Sequence, residues 1–99
     1  MNLLQELQQR SRIACTPFEE EIDSVYEAIR AYCLHVADKG YVKVSIDIFE
    51  LEEMYDINCR STARIDAFAR AMSRVREAGV EVTYDSRAGD YALNWGNHD

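Results

Sequence analysis

The stretch from Val44 to Trp95 decides the fold of this chain; it reads VSIDIFELEEMYDINCRSTARIDAFARAMSRVREAGVEVTYDSRAGDYALNW. Alternating apolar residues predict a short half-buried strand over 41–46 and a β-hairpin over 80–95. Between them, apolar residues at helical spacing predict two helices, a short one capped by Asp47 and a longer one that opens at Ser61. The order strand, helix, turn, helix, hairpin predicts an α+β domain with a small antiparallel sheet.

A longer helix is predicted before this stretch. Thr16 can cap it, Pro17 suits the first helical position and Glu19 completes a capping box. Gly40 suits the left-handed residue that ends such a helix. The apolar residues between these signals have the spacing of a core-facing helix: Phe18, Ile22, Val25, Ile29, Tyr32 and Val36.

The first residues predict a short amphipathic helix over 2–13, built on Leu3, Leu4 and Leu7. This helix either packs on its own domain or serves as a dimerisation arm, and a homodimer is expected. We therefore divide the chain into an amphipathic arm over 1–15 and a single domain over 16–96. The predicted core joins apolar residues from all elements of that domain: Phe18, Ile22, Val25, Ile29, Ile46, Leu51, Ile65, Phe68, Met72, Val82 and Leu93.

Composition places the chain among soluble globular proteins. It has 99 residues, of which 47% are hydrophobic and 29% are charged. No apolar run approaches the roughly 20 residues that a membrane-spanning helix needs. The N-terminus lacks the basic start and sustained apolar segment of a signal peptide, which indicates a cytoplasmic protein without membrane contact.

The residues that carry most enzyme and metal chemistry are sparse. The three cysteines, Cys15, Cys33 and Cys59, are widely spaced, which indicates free thiols in a reducing compartment. Cys33 and His35 come closest to a pair of metal ligands, but residues two apart on a helix point to different faces. With only four glycines there is no phosphate-binding loop. We expect no enzyme activity, no metal and no cofactor.

Charge is distributed unevenly along the chain, whose formal net charge is -7. Residues 1–58 hold twelve acidic and five basic side chains, whereas residues 59–99 hold six of each. Within residues 59–78, five arginines stand against two acids, which leaves this predicted helix locally basic. The chain thus combines an acidic half with one basic helix.

Three segments of the fold-deciding stretch carry a resemblance to a known family: RSTAR at 60–64, REAGV at 76–80 and GDYAL at 89–93. They resemble the winged helix-turn-helix domains of bacterial regulators of the DeoR and biotin-repressor type. The resemblance covers residues 44–95. It implies a three-helix core with a small antiparallel sheet whose hairpin is the wing, to which this chain adds an N-terminal helix.

The same resemblance implies a DNA-binding site at the start of the second helix and at the tip of the wing. Arginine suits guanine edges and phosphates. The residues that it implicates are Arg60, Ser61, Thr62, Arg64 and Arg87. The leading hypothesis is a small regulator or architectural factor of bacterial, phage or mobile-element origin that binds double-stranded DNA.

The acidic half of the chain supports an alternative from another functional class. The domain would then be a protein-interaction module that binds a basic partner, such as a phage-encoded inhibitor that imitates nucleic acid. Electrostatic complementarity favours a basic partner for such a surface. The residues predicted to bind it lie on the short helix, which is predicted over 47–56: Glu50, Glu52, Glu53 and Asp56.

Overall fold

A computed structural model describes residues 2–96 and contains helices, strands and a single 3₁₀ turn over Ser61–Ala63. The helices are α1 (Leu3–Cys15), α2 (Glu19–Asp38), α3 (Ile48–Met54) and α4 (Arg64–Glu77). The strands are β1 (Lys43–Ile46), β2 (Glu81–Asp85) and β3 (Asp90–Asn94). The predicted α+β class, the extra N-terminal helix and the small antiparallel sheet are confirmed.

The three strands form one antiparallel sheet in the order β1-β3-β2. Val44 of β1 and Val82 of β2 both lie opposite Leu93 of the central strand. The hairpin between β2 and β3 turns at Gly89, whose φ of +73° lies in the left-handed region that glycine adopts without a steric penalty. The long connection from β1 to β2 contains α3 and α4, so both helices are joined at each end to strands of the same sheet.

The core lies between α2, α4 and the inner face of the sheet. Three alanines at the start of α4 and on it are fully buried: Ala63, Ala67 and Ala71. Their small side chains let α4 pack closely against the rest of the core. Of the predicted core residues, these are confirmed as buried: Ile22, Val25, Ile29, Ile46, Leu51, Phe68, Met72, Val82 and Leu93. The helical and strand periodicities in the sequence therefore identify most of the core.

Two residues predicted to lie in the core are exposed instead. Phe18 is 58% exposed because it precedes the first turn of α2, so it does not continue the stripe that begins at Ile22. Ile65 is 72% exposed. The buried side of α4 is centred on Ala71 and Val75, and Ile65 is rotated roughly 100° from it about the helix axis. Both residues satisfy the spacing rule but lie outside the buried arc.

The start of α2 also differs from the prediction. The helix begins at Glu19, and the backbone N–H of Phe18 donates to Glu21 Oε1 at 2.7 Å. Thr16 closes the preceding helix instead, because its hydroxyl donates to the carbonyl of Arg12 at 2.7 Å. The predicted cap at Asp47 is confirmed, with its carboxylate accepting from the N–H of Phe49 at 3.0 Å.

Helix α1 stands apart from the rest of the molecule. None of its 13 residues is buried, and the described chain extends 56 Å along one axis against 27 and 24 Å along the others. Its C-terminal end touches the 3₁₀ turn, where the hydroxyl of Thr62 donates to the carbonyl of Ala14 at 2.8 Å. No helix within residues 2–96 is both long and apolar enough to cross a membrane.

Candidate interaction surface

The loop between α3 and α4 is anchored to α2 at two points. The backbone N–H of Asn58 donates to the hydroxyl of Ser24 at 2.8 Å, and the N–H of Arg60 donates to Glu21 Oε2 at 2.8 Å. These bonds satisfy backbone groups that no helix or strand uses. They set the point at which the chain enters α4, and therefore the positions of the residues that sequence analysis placed in a DNA-binding site.

Arg60 is held by the side chains of α2 and the residues before it. Its guanidinium donates to the Glu21 carboxylate, with Nη2 2.9 Å from Oε1, and to the carbonyl of Thr16 at 2.7 Å. It also lies over the ring of Phe18, 4.2 Å from the centroid, at a cation–π distance. These three interactions would have to break or rearrange before the Arg60 guanidinium could contact a base edge.

Glu21 is the acid that binds Arg60, and it is only 6% exposed. The Arg60 guanidinium, together with the backbone N–H groups of Phe18 and Arg60, holds the pKa of this carboxyl at about 2. Hydrogen bonds to the charged form lower the pKa of an acid. The carboxylate is therefore ionised in the folded protein at neutral pH, and it neutralises Arg60 locally.

Arg64 is held in a similar way by α3. Its Nε lies 2.7 Å from Glu52 Oε1, and its guanidinium lies 5.3 Å from the centroid of the Phe49 ring. The Nε atom is buried and makes no well-angled hydrogen bond, so the contact with Glu52 is an ion pair by distance alone. This pair joins the short helix to the first turn of α4.

The last arginines of α4 also have partners within the chain. Arg74 pairs with Asp23 at 2.5 Å and with Glu19, both on α2. Arg76 donates to the backbone carbonyl of Val82 at 3.2 Å. The locally basic helix that the sequence shows is therefore largely neutralised by acids from elsewhere in the chain.

The solvent-facing side of α4 carries a mixed set of charges. Arg70 is exposed and makes no ion pair within residues 2–96, but Asp66 and Glu77 lie on the same side of the helix. Ile65 adds an exposed apolar side chain at its N-terminal end. Such a surface lacks the excess of positive charge that drives most phosphate binding.

The remaining residues predicted to bind DNA are distributed over two places. Ser61 and Thr62 open the 3₁₀ turn before α4. The Thr62 hydroxyl donates a hydrogen bond to the carbonyl of Ala14 at the end of α1. Arg87 is exposed at the tip of the hairpin, where its backbone N–H donates to Asp85 Oδ1 at 3.0 Å. The fold brings Arg60, Ser61, Thr62 and Arg64 together at one end of α4, with Arg87 on the separate hairpin.

The acids predicted for the alternative site remain largely unpaired. Glu50, Glu53 and Asp56 are exposed and form no ion pair within the part of the chain that the structure describes. Glu52 differs, since it is half-buried and engaged by Arg64. An open groove of about 450 Å³ runs between α3 and the following loop, with Glu53 and Asp56 among its lining residues.

Exposed apolar side chains accompany these acids, and sequence analysis did not identify them as functional. Phe49 is 63% exposed and Met54 is 53% exposed, both on α3. For Phe49 the spacing carried a signal, because it lies two positions from the buried Leu51 and therefore on a different face of the helix. Met54 lies three positions from Leu51, so the spacing did not reveal its exposure. We call the exposed set Phe49, Glu50, Glu53, Met54 and Asp56 the α3 surface.

The described residues also bear on metal binding and thiol chemistry. No group of three or more histidine, cysteine or acidic side chains within residues 2–96 is arranged to hold a metal ion.

Cys33 is half-buried, and burial raises the pKa of its thiol to about 11. A thiol with such a pKa stays protonated at neutral pH and is a poor nucleophile.

No protein-family model, no curated protein and no solved structure matches this chain.

Proposed function

We propose that this protein is an interaction module that binds a basic partner protein through the α3 surface. One observation carries the proposal. The arginines at the start of α4 are paired with acids of the same chain, whereas Glu50, Glu53 and Asp56 on the neighbouring helix are unpaired within residues 2–96. The net local charge around the helix-turn-helix is therefore negative, and it attracts positive rather than negative ligands.

The apolar part of the α3 surface supports a protein as the partner. Phe49 and Met54 are large side chains that stay more than half exposed among acidic neighbours. Interfaces between proteins are enriched in aromatic residues and methionine at the centre and are polar at the rim. A basic partner that also presents an apolar side chain would satisfy both features.

We also propose that the fold is a winged helix-turn-helix. The order helix, strand, helix, helix, hairpin and the antiparallel sheet β1-β3-β2 support this proposal. In this reading α4 is the recognition helix and the hairpin of β2 and β3 is the wing. The fold alone does not determine the ligand, because one scaffold can carry unrelated sites.

A charge-reversal comparison tests the proposed function. The test variant is Glu50→Lys with Glu53→Lys, and the control is Glu20→Lys with Asp38→Lys, which makes an equal change of net charge at exposed positions of α2. Glu52 is left alone because it holds Arg64. The probe is a fluorescein-labelled peptide rich in lysine and leucine, and the readout is fluorescence anisotropy at low and moderate salt.

We expect the parent to bind this peptide more weakly as salt rises, since screening reduces attraction between exposed charges. The test variant should lose most of the binding, and the control should lose clearly less. Equal losses in the two variants would mean that only the net charge matters. An absence of salt-dependent binding by the parent would contradict the proposal.

DNA binding remains the second candidate, and one observation favours it. Arg70 on α4 and Arg87 on the hairpin tip are exposed and form no ion pair within residues 2–96. Phosphate contacts by such residues give an affinity that falls with salt. The same anisotropy assay with a labelled DNA duplex separates the two candidates, because duplex binding that Arg70→Ala and Arg87→Ala abolish would favour DNA.

A further inference from the structure

Helix α1 has an apolar face that nothing within residues 2–96 covers. Leu3, Leu4 and Leu7 are 69%, 62% and 54% exposed. At 3.6 residues per turn they lie within roughly 100° of one another on the helix circumference, and Ser11 lies between Leu4 and Leu7 in that view. The face is thus a continuous stripe of three leucines followed by a small residue.

Side-chain hydrogen bonds nevertheless cap helix α1 at both ends. Asn2 caps its start by accepting from the N–H of Gln5 at 2.9 Å, and Thr16 closes its end. A helix of 13 residues is marginal in water without a partner. Helix α1 contacts the 3₁₀ turn at its C-terminal end, and within residues 2–96 none of its residues is buried, so the leucine stripe needs a surface that this part of the chain does not provide.

We propose that a second copy of this chain covers the stripe, with the two α1 helices packed antiparallel. The leucines occupy the N-terminal half of the helix, and the smaller Ser11 and Ala14 occupy the C-terminal half. Antiparallel packing sets the leucines of each helix against the small residues of the other. Interdigitation of large with small side chains gives an evenly packed interface.

The charged residues of α1, like its leucines and small residues, differ between the two halves of the helix. Glu6 and Arg10 both flank the leucine stripe, Glu6 in the first half of the helix and Arg10 in the second, whereas Arg12 lies on the far side. Antiparallel packing brings Glu6 of one copy near Arg10 of the other, and it also sets the two helix dipoles in opposite directions. Parallel packing would set Arg10 beside Arg10 and leave a gap at the small residues.

An isologous contact of this kind closes as a two-fold dimer and is independent of the proposed function of the α3 surface. Leu7 lies nearest the middle of the pair. The first test compares Leu7→Glu with Gln9→Glu, which adds the same charge on the opposite side of α1. Sedimentation equilibrium of the full-length chains measures the dimer dissociation constant.

We expect the parent to dimerise and Leu7→Glu to weaken the dimer by at least about tenfold, because an unpaired charge in an apolar contact is costly. Gln9→Glu should remain close to the parent. Circular dichroism checks that the domain is folded, since α1 contributes no buried residue to the core. A monomeric parent, or equal weakening in the two variants, would overturn the proposal.

A second test reads the direction of packing. Chains carrying Leu4→Cys and chains carrying Ser11→Cys are mixed and treated with a short bismaleimide cross-linker, with exposed Cys15 replaced by serine in both. Antiparallel packing predicts the mixed product in excess over either self-linked product. Self-linked Leu4→Cys dimers as the main product would show parallel packing and overturn the proposed arrangement.

Discussion

At the scale of single residues, the pair Glu21 and Arg60 controls the junction between α2 and α4. Glu21 is the only charged side chain that is buried within residues 2–96. Because its pKa of about 2 in the folded protein lies below the ordinary value of 4.5, the pair stabilises the fold above about pH 4.5. This contribution is lost as the pH falls from 4.5 towards 2, since the unfolded chain binds the proton first.

We predict that Glu21→Gln lowers stability at pH 7 and flattens the loss of stability between pH 4.5 and 2. Urea unfolding at several pH values measures both effects. The matched control is Glu20→Gln, an exposed neighbour that makes no ion pair in the described chain, and it should keep the pH profile of the parent. A pH profile of Glu21→Gln that parallels the parent would contradict this assignment.

Phe68 and Ile65 provide a second comparison at this scale. The two residues are three positions apart on α4, but Phe68 is fully buried and Ile65 is 72% exposed. Phe68→Ala should cost about 3–5 kcal/mol because it leaves a cavity in the core. Ile65→Ala should change the free energy of unfolding by no more than about 0.5 kcal/mol, as is usual at an exposed site. Chemical denaturation of both variants checks the prediction, and similar costs would argue against the orientation of α4.

At the scale of secondary-structure elements, α3 depends on its cap. It has only seven residues and buries a single side chain, Leu51. Asp47→Ala should therefore destabilise the protein by roughly 0.5–2 kcal/mol, the usual cost of losing such a cap. Thermal and urea unfolding measure this cost. Asp56→Ala is the control, because it removes the same charge from an exposed position, and a cost equal to that of Asp47→Ala would mean that charge rather than capping is responsible.

The elements also show where local signals are reliable. Periodicity predicted α2, α3, α4 and the hairpin correctly because a core-facing stripe is a property of consecutive residues. The start of α2 was predicted two residues early because Thr16 and Glu19 have the spacing of a capping box, as Phe18 and Glu21 also do. The structure selects the later start because Glu21 can cap the helix and bind Arg60 with one carboxylate.

At the scale of the whole molecule, ion pairs engage Arg60, Arg64 and Arg74 with acids of the same chain. If pairing is what suppresses binding to phosphates, removal of the partner acids should create it. The test variant removes acids that pair with arginines: Glu19→Gln, Asp23→Asn and Glu52→Gln. The control removes exposed acids that form no ion pair in the described chain: Glu20→Gln, Glu27→Gln and Asp38→Asn.

Both variants change the net charge equally, but only the test variant frees Arg64 and Arg74. We predict that it binds a DNA duplex more tightly than the control does. The dependence of log K on log salt should steepen by roughly two, since each phosphate contact contributes about 0.9. Anisotropy titrations over a range of salt concentrations measure this slope. Equal slopes would mean that the overall charge, rather than the pairing, sets the affinity.

The sequence by itself determined the order of the elements, most of the core and the presence of one arginine-rich helix. These properties depend on residues that are near one another in the chain, so spacing and capping patterns reveal them. Only the tertiary structure decided which acids pair with the arginines, because Glu21 and Arg60 are 39 positions apart in the chain and Asp23 and Arg74 are 51 positions apart. The sum of local charges can be counted along a chain, whereas the neutralisation of those charges depends on contacts between distant residues. That neutralisation is the reason for proposing a basic protein rather than DNA as the partner.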